Sequence, residues 1–383
     1  MYQITVFRNR ESFYLVIFVK FSTLVNKPLS IMKIKFLQAF NGDSIWISFT
    51  ENRINKNILI DGGTSTTYTF KDKNDGKIKP GDLKTLIEFL KGKNEKLDLV
   101  ILTHIDDDHI DGFLKWFSKD EIAIHNIKEI WFNSGRIIKK FLNDTESEIE
   151  PLKFKEETTL TSVRQGVDFE NYIRDKEIWS ERVIKRGDII NWNGISFQIL
   201  SPDKEKLEKL LKEWKKKVPE SLLDTSRKDD YKKTLKKLME EDIFEEDDDP
   251  YNGSSISFII THEDKKYLFL GDSHPSNIIS ELKRLGYNPT NNKLQIELLK
   301  ISHHGSQKNT SVELLELIET NKYIISTNGD MHGHPDKATI ARIVYTNSKA
   351  KIFFNYPSLI SKVILEEDKN DFSEVEFLDT ESL

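Results

Sequence analysis

Short apolar runs that stop abruptly at polar residues recur along this chain. Leu99-Val100-Ile101-Leu102 breaks into Thr103-His104-Ile105-Asp106-Asp107-Asp108-His109-Ile110-Asp111-Gly112. Tyr267-Leu268-Phe269-Leu270-Gly271 stops at Asp272, and the run around Leu298-Leu299-Lys300-Ile301 stops at Ser302-His303-His304-Gly305-Ser306. Tyr323-Ile324-Ile325-Ser326 leads into His332-Gly333-His334-Pro335. Runs of this length and composition read as buried strands, and layered α/β folds place ligand and catalytic groups directly after such strands.

The wider pattern predicts strands at 33–40, 44–49, 57–61, 98–103 and 128–132, and two more around Trp192-Asn193-Gly194. Asn41-Gly42 marks a hairpin between the first two. From residue 255 the predicted strands are 255–261, 266–271, 295–302, 322–327, 351–355 and 362–366. Predicted helices are 83–90, 110–117, 275–285, 311–318 and 336–346. Strands alternating with helices argue for α/β layers. Residues 203–250 read as an insertion. Its first helix carries Leu207, Leu210, Leu211 and Trp214 at i, i+3, i+4, i+7 on a Lys/Glu-rich background. A second helix is expected at 229–240, followed by an acidic run to Pro250. The plain expectation is a solvated helical hairpin; the functional alternative is a lid or a surface that docks a protein partner.

Residues 1–31 stand apart. Phe13 to Val19 is apolar behind Arg8 and Arg10, but Lys20 interrupts it, no small-residue cleavage site follows, and it is too short to span a membrane. We read 1–31 as an N-terminal extension, an over-extended start or an arm outside the functional chain, with a membrane-associated leader or an added structured element as the alternatives, and 32–383 as one domain. The chain has 383 residues, 31% charged, with net charge -6. That balance excludes a general affinity for polyanions, so nucleic-acid binding would need a local patch. Cys is absent. Thiolate ligands and disulfides are therefore excluded, and any metal must be held by His and carboxylate.

Two imidazoles and several carboxylates crowded into the 104–111 segment repel one another and resist burial unless a cation sits among them. His104 and Asp106 alternate at a strand end, and Asp108 and His109 stand at the turn into a helix. That spacing offers two ligand pairs. Asp106 to Asp108 capping a helix in a solvated loop is the plain alternative.

The segment from Thr103 to His109 resembles the signature of the metallo-β-lactamase superfamily, with Asp106 where the usual form has a second His. Together with Leu299-Lys300-Ile301-Ser302-His303-His304-Gly305-Ser306, Leu270-Gly271-Asp272, Gly333-His334-Pro335, the opening Met32 to Ile45 and Ile58-Leu59-Ile60-Asp61-Gly62-Gly63, it resembles the metallo-hydrolase domain of the competence protein ComEC and its soluble stand-alone relatives. The resemblance implies a four-layer αββα sandwich, here with a charged helical insertion. It implies two divalent ions, Zn or Mn, one held by His104 and Asp106 and the other by Asp108, His109 and one His of the 303–304 pair. His303 is preferred because it comes first after the strand, and His304 is then an additional site residue. Asp272 bridges both ions, and a metal-bridging hydroxide is the nucleophile. Asp106 in place of His shifts preference toward Mn without excluding Zn. The family's intervening His is not evident, and Asn252 falls where a substitute can sit. Asp61 is expected to support a ligand histidine.

Asp108 and His334 are the residues read as catalytic, His334 as a phosphate contact or general acid. Lys300, Lys308 and Arg136 are candidates for substrate phosphates. His332, His274, His125 and His262 read as ordinary. The expected activity is phosphodiester hydrolysis, with nucleic acid as the lead substrate and partner and a cyclic nucleotide or other small phosphodiester close behind, in a bacterial, cytoplasmic setting. The alternatives are a carboxyl-ester, thioester or lactam hydrolase on the same fold, and a non-catalytic metal-stabilised module that binds a partner.

Overall fold

The structure is a computed structural model; it describes residues 3–9, 12–18, 31–143, 161–215 and 229–383. The chain divides into two units, Met1–Ile31 and Met32–Leu383. In the first, Gln3–Asn9 pairs antiparallel with Ser12–Phe18.

The second unit is built on two sheets. One has five strands in chain order: β1 (Lys33–Phe36), β2 (Ile45–Glu51), β3 (Ile54–Ile60), β4 (Leu99–Ile101) and β5 (Ile130–Trp131). The first three pair antiparallel, and β4 and β5 add in parallel. The other has eight: β6 (Ile189–Trp192), β7 (Ile195–Ser201), β8 (Ser257–His262), β9 (Lys265–Phe269), β10 (Leu298–Lys300), β11 (Lys322–Ile325), β12 (Lys351–Phe354) and β13 (Glu376–Asp379). It repeats the plan, antiparallel from β6 to β9 and parallel from β9 to β13.

Alternation along the strands sorts their side chains into three apolar layers. Ile45, Ile47, Ile58, Ile60, Leu99 and Ile101 face Phe197, Ile199, Phe258, Phe269 and Leu298 between the sheets. Leu59, Val100 and Ile130 turn outward onto Leu86, Ile110, Phe113 and Trp116 of covering helices. Leu268, Leu299 and Ile325 turn the other way onto Ile278, Leu282, Ile340 and Ile343. The result is the expected four-layer αββα sandwich. Parallel strands feeding covering helices put β4, β9, β10 and β11 in position to end near one another, and the polar motifs follow those ends.

Two expectations fail. The apolar run at 362–366 is not a strand: Ser358–Val363 is a helix that buries Leu359 and Val363 four apart, and the edge strand is β13, further along. Short apolar runs do not separate strand from buried helix. The insertion is not a solvated hairpin. Helix Lys204–Lys215 buries Leu207, Leu210, Leu211 and Trp214 in the layer outside the five-stranded sheet. Tyr231, Leu235 and Leu238 enter the opposite outer layer. The Lys204–Lys215 stripe is therefore spent on the chain itself. Residues 216–228, where the expected hairpin would turn, lie outside the described residues. The acidic run is also drawn in: Asp242 pairs with Arg342 at 2.6 Å, and Asp247 is buried.

Candidate metal centre

Helix Asp107–Lys119 starts directly after β4, with Asp106 at its N-cap, so its first turn carries Asp108 and His109. It is seated on the turn after β3. The Gly62 amide donates to the His109 carbonyl (2.7 Å) and the Gly112 amide to the Gly63 carbonyl (2.8 Å). A Cβ on Gly112 would lie 1.9 Å from the Gly62 oxygen, so only glycine permits this approach. The same turn presents Asp61. Its carboxylate accepts from the Thr103 amide (2.7 Å) and hydroxyl (2.8 Å) and lies 2.9 Å from His109 Nδ1. With Nδ1–H engaged there, His109 Nε2 faces the centre, the supporting role expected of Asp61.

Two donor groups meet here: His104, His109 and Asp272, and Asp108, His109 and His304, the atoms of each within 4.8 Å of one another. Asp272 Oδ2 lies 3.7 Å from His104 Nε2, 3.3 Å from His109 Nε2 and 3.6 Å from His304 Nε2. Asp106 Oδ2 is 3.5 Å from His104 Nε2, and its other oxygen accepts from Ser162 Oγ at 3.0 Å. Asp108 Oδ2 is 3.2 Å from His304 Nε2.

The 303–304 pair departs from expectation. His304, not His303, completes the second group. The two residues take left-handed backbone conformations, φ 47° and 54°, and this turn drives the second ring into the cluster. His304 is buried and donates from Nδ1 to the Ser326 carbonyl at 3.0 Å. His303 is 23% exposed, 3.8 Å from Asp272 at the edge, with Nδ1 on Asn309 Oδ1 at 2.9 Å. Asn252 is buried beside it. Its amide donates to Asp247 (2.8 Å), and its oxygen has no partner. Asp247 also accepts from Asn309 (3.0 Å) and stands 3.7 Å from both His303 and His274.

The electrostatics of the cluster bear on what it can hold. Burial works against charge on His109, yet the carboxylates of Asp272, Asp61 and Asp108 hold it well above its ordinary value. Burial is likewise overcome at His304, which Asp272 and Asp43 push up to about 10. Burial would raise Asp272, but the surrounding imidazoles, His109 foremost, hold it well below the usual carboxylate range. Carboxylates in this density retain protons on imidazoles that would otherwise be neutral, and a divalent cation takes the place of those protons. His104 Nε2 and Asp272 Oδ1 are buried without a hydrogen-bond partner. Orphaned donor atoms, an all-N/O donor set and excess negative charge fit divalent metal ions.

The phosphate candidates are corrected in part. Lys300 is 1% exposed and paired with Asp43 at 2.7 Å, so it cannot reach a substrate. Arg136 is held by Glu170 (2.7 Å) and Glu181 (3.0 Å). Lys308 is exposed. His334 lies 5.0 Å from the His303 ring, and burial pushes its imidazole down to about 4. It is neutral near pH 7 and holds no spare proton, which favours the phosphate-contact expectation over the acid one. His332 and His125 are exposed, and His262 packs on Phe49. His274 is buried at the N-cap of Pro275–Arg284, 2.5 Å from Lys206 Nζ. Burial pushes the Asp249 carboxyl up to about 6, with Asp106 beside it.

Sequence reasoning missed Asp43, Asp247, Asn309 and Ser326. Asp43 was hidden in a hairpin signal and Asp247 in an acidic run; for Asn309 and Ser326 the sequence carries no signal.

A family model, "Metallo-beta-lactamase superfamily", matches residues 40–187. ComE operon protein 3 of Bacillus subtilis (strain 168) is 24% identical over 333 residues, covering 83% of this chain and 32% of that protein. The chain thus spans about a third of that relative's length. Among solved structures, a provisionally assigned metal-dependent hydrolase from Parabacteroides distasonis is 12% identical with TM-score 0.38, covering 93% of this chain and 99% of that one. The diiron β-hydroxylase CmlA of Streptomyces venezuelae is 8% identical with TM-score 0.35, covering 92% and 52%. Family match over residues 40–187, layer order and the His/Asp cluster agree: the chain carries a region similar to the metallo-β-lactamase superfamily, resembles ComE operon protein 3, and has a donor set that fits divalent metal ions.

Proposed function

We propose that this hydrolase cleaves phosphodiester bonds, with nucleic acid as the leading substrate, using two divalent ions, Mn or Zn. The observation that carries the reading is Asp272 Oδ2, within 3.3–3.7 Å of nitrogens from both donor groups. A carboxylate shared between two groups suits two ions about 3.5–4 Å apart, the arrangement that serves in-line displacement at phosphorus. His104, Asp106 and Asp272 would hold one ion, and Asp108, His109, His304 and Asp272 the other. Asn252 Oδ1, buried and unpartnered beside His303, is an additional site residue of this reading. Bound there, the ions supply Lewis acidity and lower the pKa of water. Asp61 and the Ser326 carbonyl fix the tautomers of His109 and His304, so that Nε2 of each presents a lone pair. His303 and a neutral His334 border the centre, where they would meet non-bridging phosphate oxygens, and of the three expected cations exposed Lys308 is left for substrate phosphates. Asp106, an oxygen donor where the usual form has imidazole, favours Mn.

The test is paired turnover. Bis-p-nitrophenyl phosphate and a nucleic-acid substrate should be hydrolysed, with loss on chelation and recovery on adding Mn. Turnover of nitrocefin or a thioester without phosphodiester cleavage would replace this reading with that of an acyl hydrolase.

A further inference from the structure

The turn between β1 and β2 carries more polar contacts than a hairpin needs, and those of Asn41 and Asp43 lead to one donor group. The Asp43 amide donates to the Asp108 carbonyl at 3.1 Å, and Asn41 Nδ2 donates to Asp108 Oδ2 at 3.4 Å. A Cβ on Gly42 would lie 1.9 Å from that same carbonyl oxygen, so the turn and the ligand segment are in direct contact. The Asp43 side chain goes further in. Its Oδ2 accepts from Lys300 Nζ at 2.7 Å, its Oδ1 accepts from Ser326 Oγ, and the same Oδ1 lies 3.5 Å from His304 Nδ1. Lys300 also donates to the Ile301 carbonyl at 2.9 Å. Asp43, Lys300, Ser326 and His304 are all 2% exposed or less.

A buried ion pair is a poor way to gain stability, because desolvation offsets most of the attraction and an apolar pair of similar volume often serves as well. Its placement suggests another use. A carboxylate behind a metal-binding imidazole orients the ring and raises its basicity, and removing such support costs roughly 10–100-fold in metal affinity. Asp43 stands behind His304, as Asp61 stands behind His109. Lys300 neutralises the added charge, so the support does not add a further net negative charge to a cluster already rich in carboxylates.

We propose that the Asp43–Lys300 pair and the 39–44 turn are positioning elements for the Asp108–His109–His304 half of the centre, setting the affinity of one of its two ions. This rests on the two-ion reading above. The test is a Mn²⁺ titration of the metal-free full chain by calorimetry and electron paramagnetic resonance, with melting temperature measured alongside. The wild type should bind two ions per chain; a single ion would overturn both the two-ion reading and this inference. Asp43→Asn combined with Lys300→Met removes both charges and leaves neither buried alone. One binding step should weaken by about 10–100-fold while the other stays within about twofold of wild type. Two wild-type affinities in the folded double variant would overturn the inference and leave the two-ion reading standing. Asn41→Ala, which leaves the buried pair intact, keeps the question open to measurement if the double variant does not fold. It should weaken the same step by about fivefold, the worth of one hydrogen bond. An unchanged step there would also overturn the inference.

Discussion

His109 and His304 are each gripped from behind, His109 by Asp61 at 2.9 Å and His304 by the Ser326 carbonyl at 3.0 Å with Asp43 beyond. On the other side of Asp272, the His104 and Asp106 side chains have one hydroxyl each: Thr103 Oγ1 at 3.1 Å and Ser162 Oγ at 3.0 Å. Exposure does not separate the halves: the Asp106 and Asp108 side chains are 26% and 19% exposed, and the His104, His109 and His304 rings at most 2%. Donors whose orientation is fixed before the ion arrives lose less freedom on binding it and hold it more tightly. The comparison therefore gives the two halves different tasks. On the two-ion proposal, the braced half would retain its ion and the less braced half would release its ion more readily.

Removing the group that belongs to both halves should have the largest effect. Asp272→Ala is expected to lose nearly all turnover and to weaken both ions by more than the roughly 10–100-fold a supporting residue costs. Metal analysis and phosphodiester turnover check this, and full activity in that variant would end the two-ion reading.

The next effects separate the halves. Asp61→Ala should weaken the braced ion most, by about 10–100-fold, and the other by less, through Thr103 and His104. Ser162→Ala should do the reverse and more mildly, by a few fold, since one hydroxyl contact is at stake. Equal effects of the two substitutions on the same ion would erase the distinction. His334→Ala should keep both ions and slow turnover equally for good and poor leaving groups, because a ring pushed down to about 4 has no proton to give near pH 7. A loss confined to poor leaving groups, approaching the roughly 10²–10⁴-fold of a general acid, would restore the acid role.

The smallest effect is on stability against pH. In the metal-free protein His304 titrates near 10 against an ordinary 6.5, burial being outweighed by Asp272 and Asp43. Its folded value lies above its unfolded one, so its stabilising contribution is complete below pH 6.5 and is lost as pH rises toward 10. Asp272 sits well below 3.8, so its contribution is complete above that value and is lost in acid. From these two groups the metal-free melting temperature should fall as pH rises from 6.5 toward 10, and fall in acid below 3.8. Mn²⁺ should flatten the alkaline fall, because ligation takes neutral imidazole and releases its proton. A metal-free curve flat to pH 10 would refute this picture of the cluster.

Much of this was legible in the chain. Apolar runs ending in His or Asp located β4, β9, β10 and β11 and the donors after them, because a strand end and its ligand are adjacent in sequence. What was not legible depends on distance or on backbone angle. Asp43 and Lys300 are 257 residues apart, and nothing local marks either as half of a buried pair. His303 and His304 are neighbours, and only their left-handed conformations decide which ring turns inward. The acidic run looked solvated because its charge is local, but Asp247 is satisfied by Asn252 and Asn309, one of them far along the chain.

The comparison between the halves is tested most directly by stepwise Mn²⁺ binding to the metal-free full chain, wild type against Asp106→Ala. Two unequal steps are expected in the wild type, with only the weaker one abolished in the variant. A single wild-type step, or loss of the tighter step in Asp106→Ala, would contradict it.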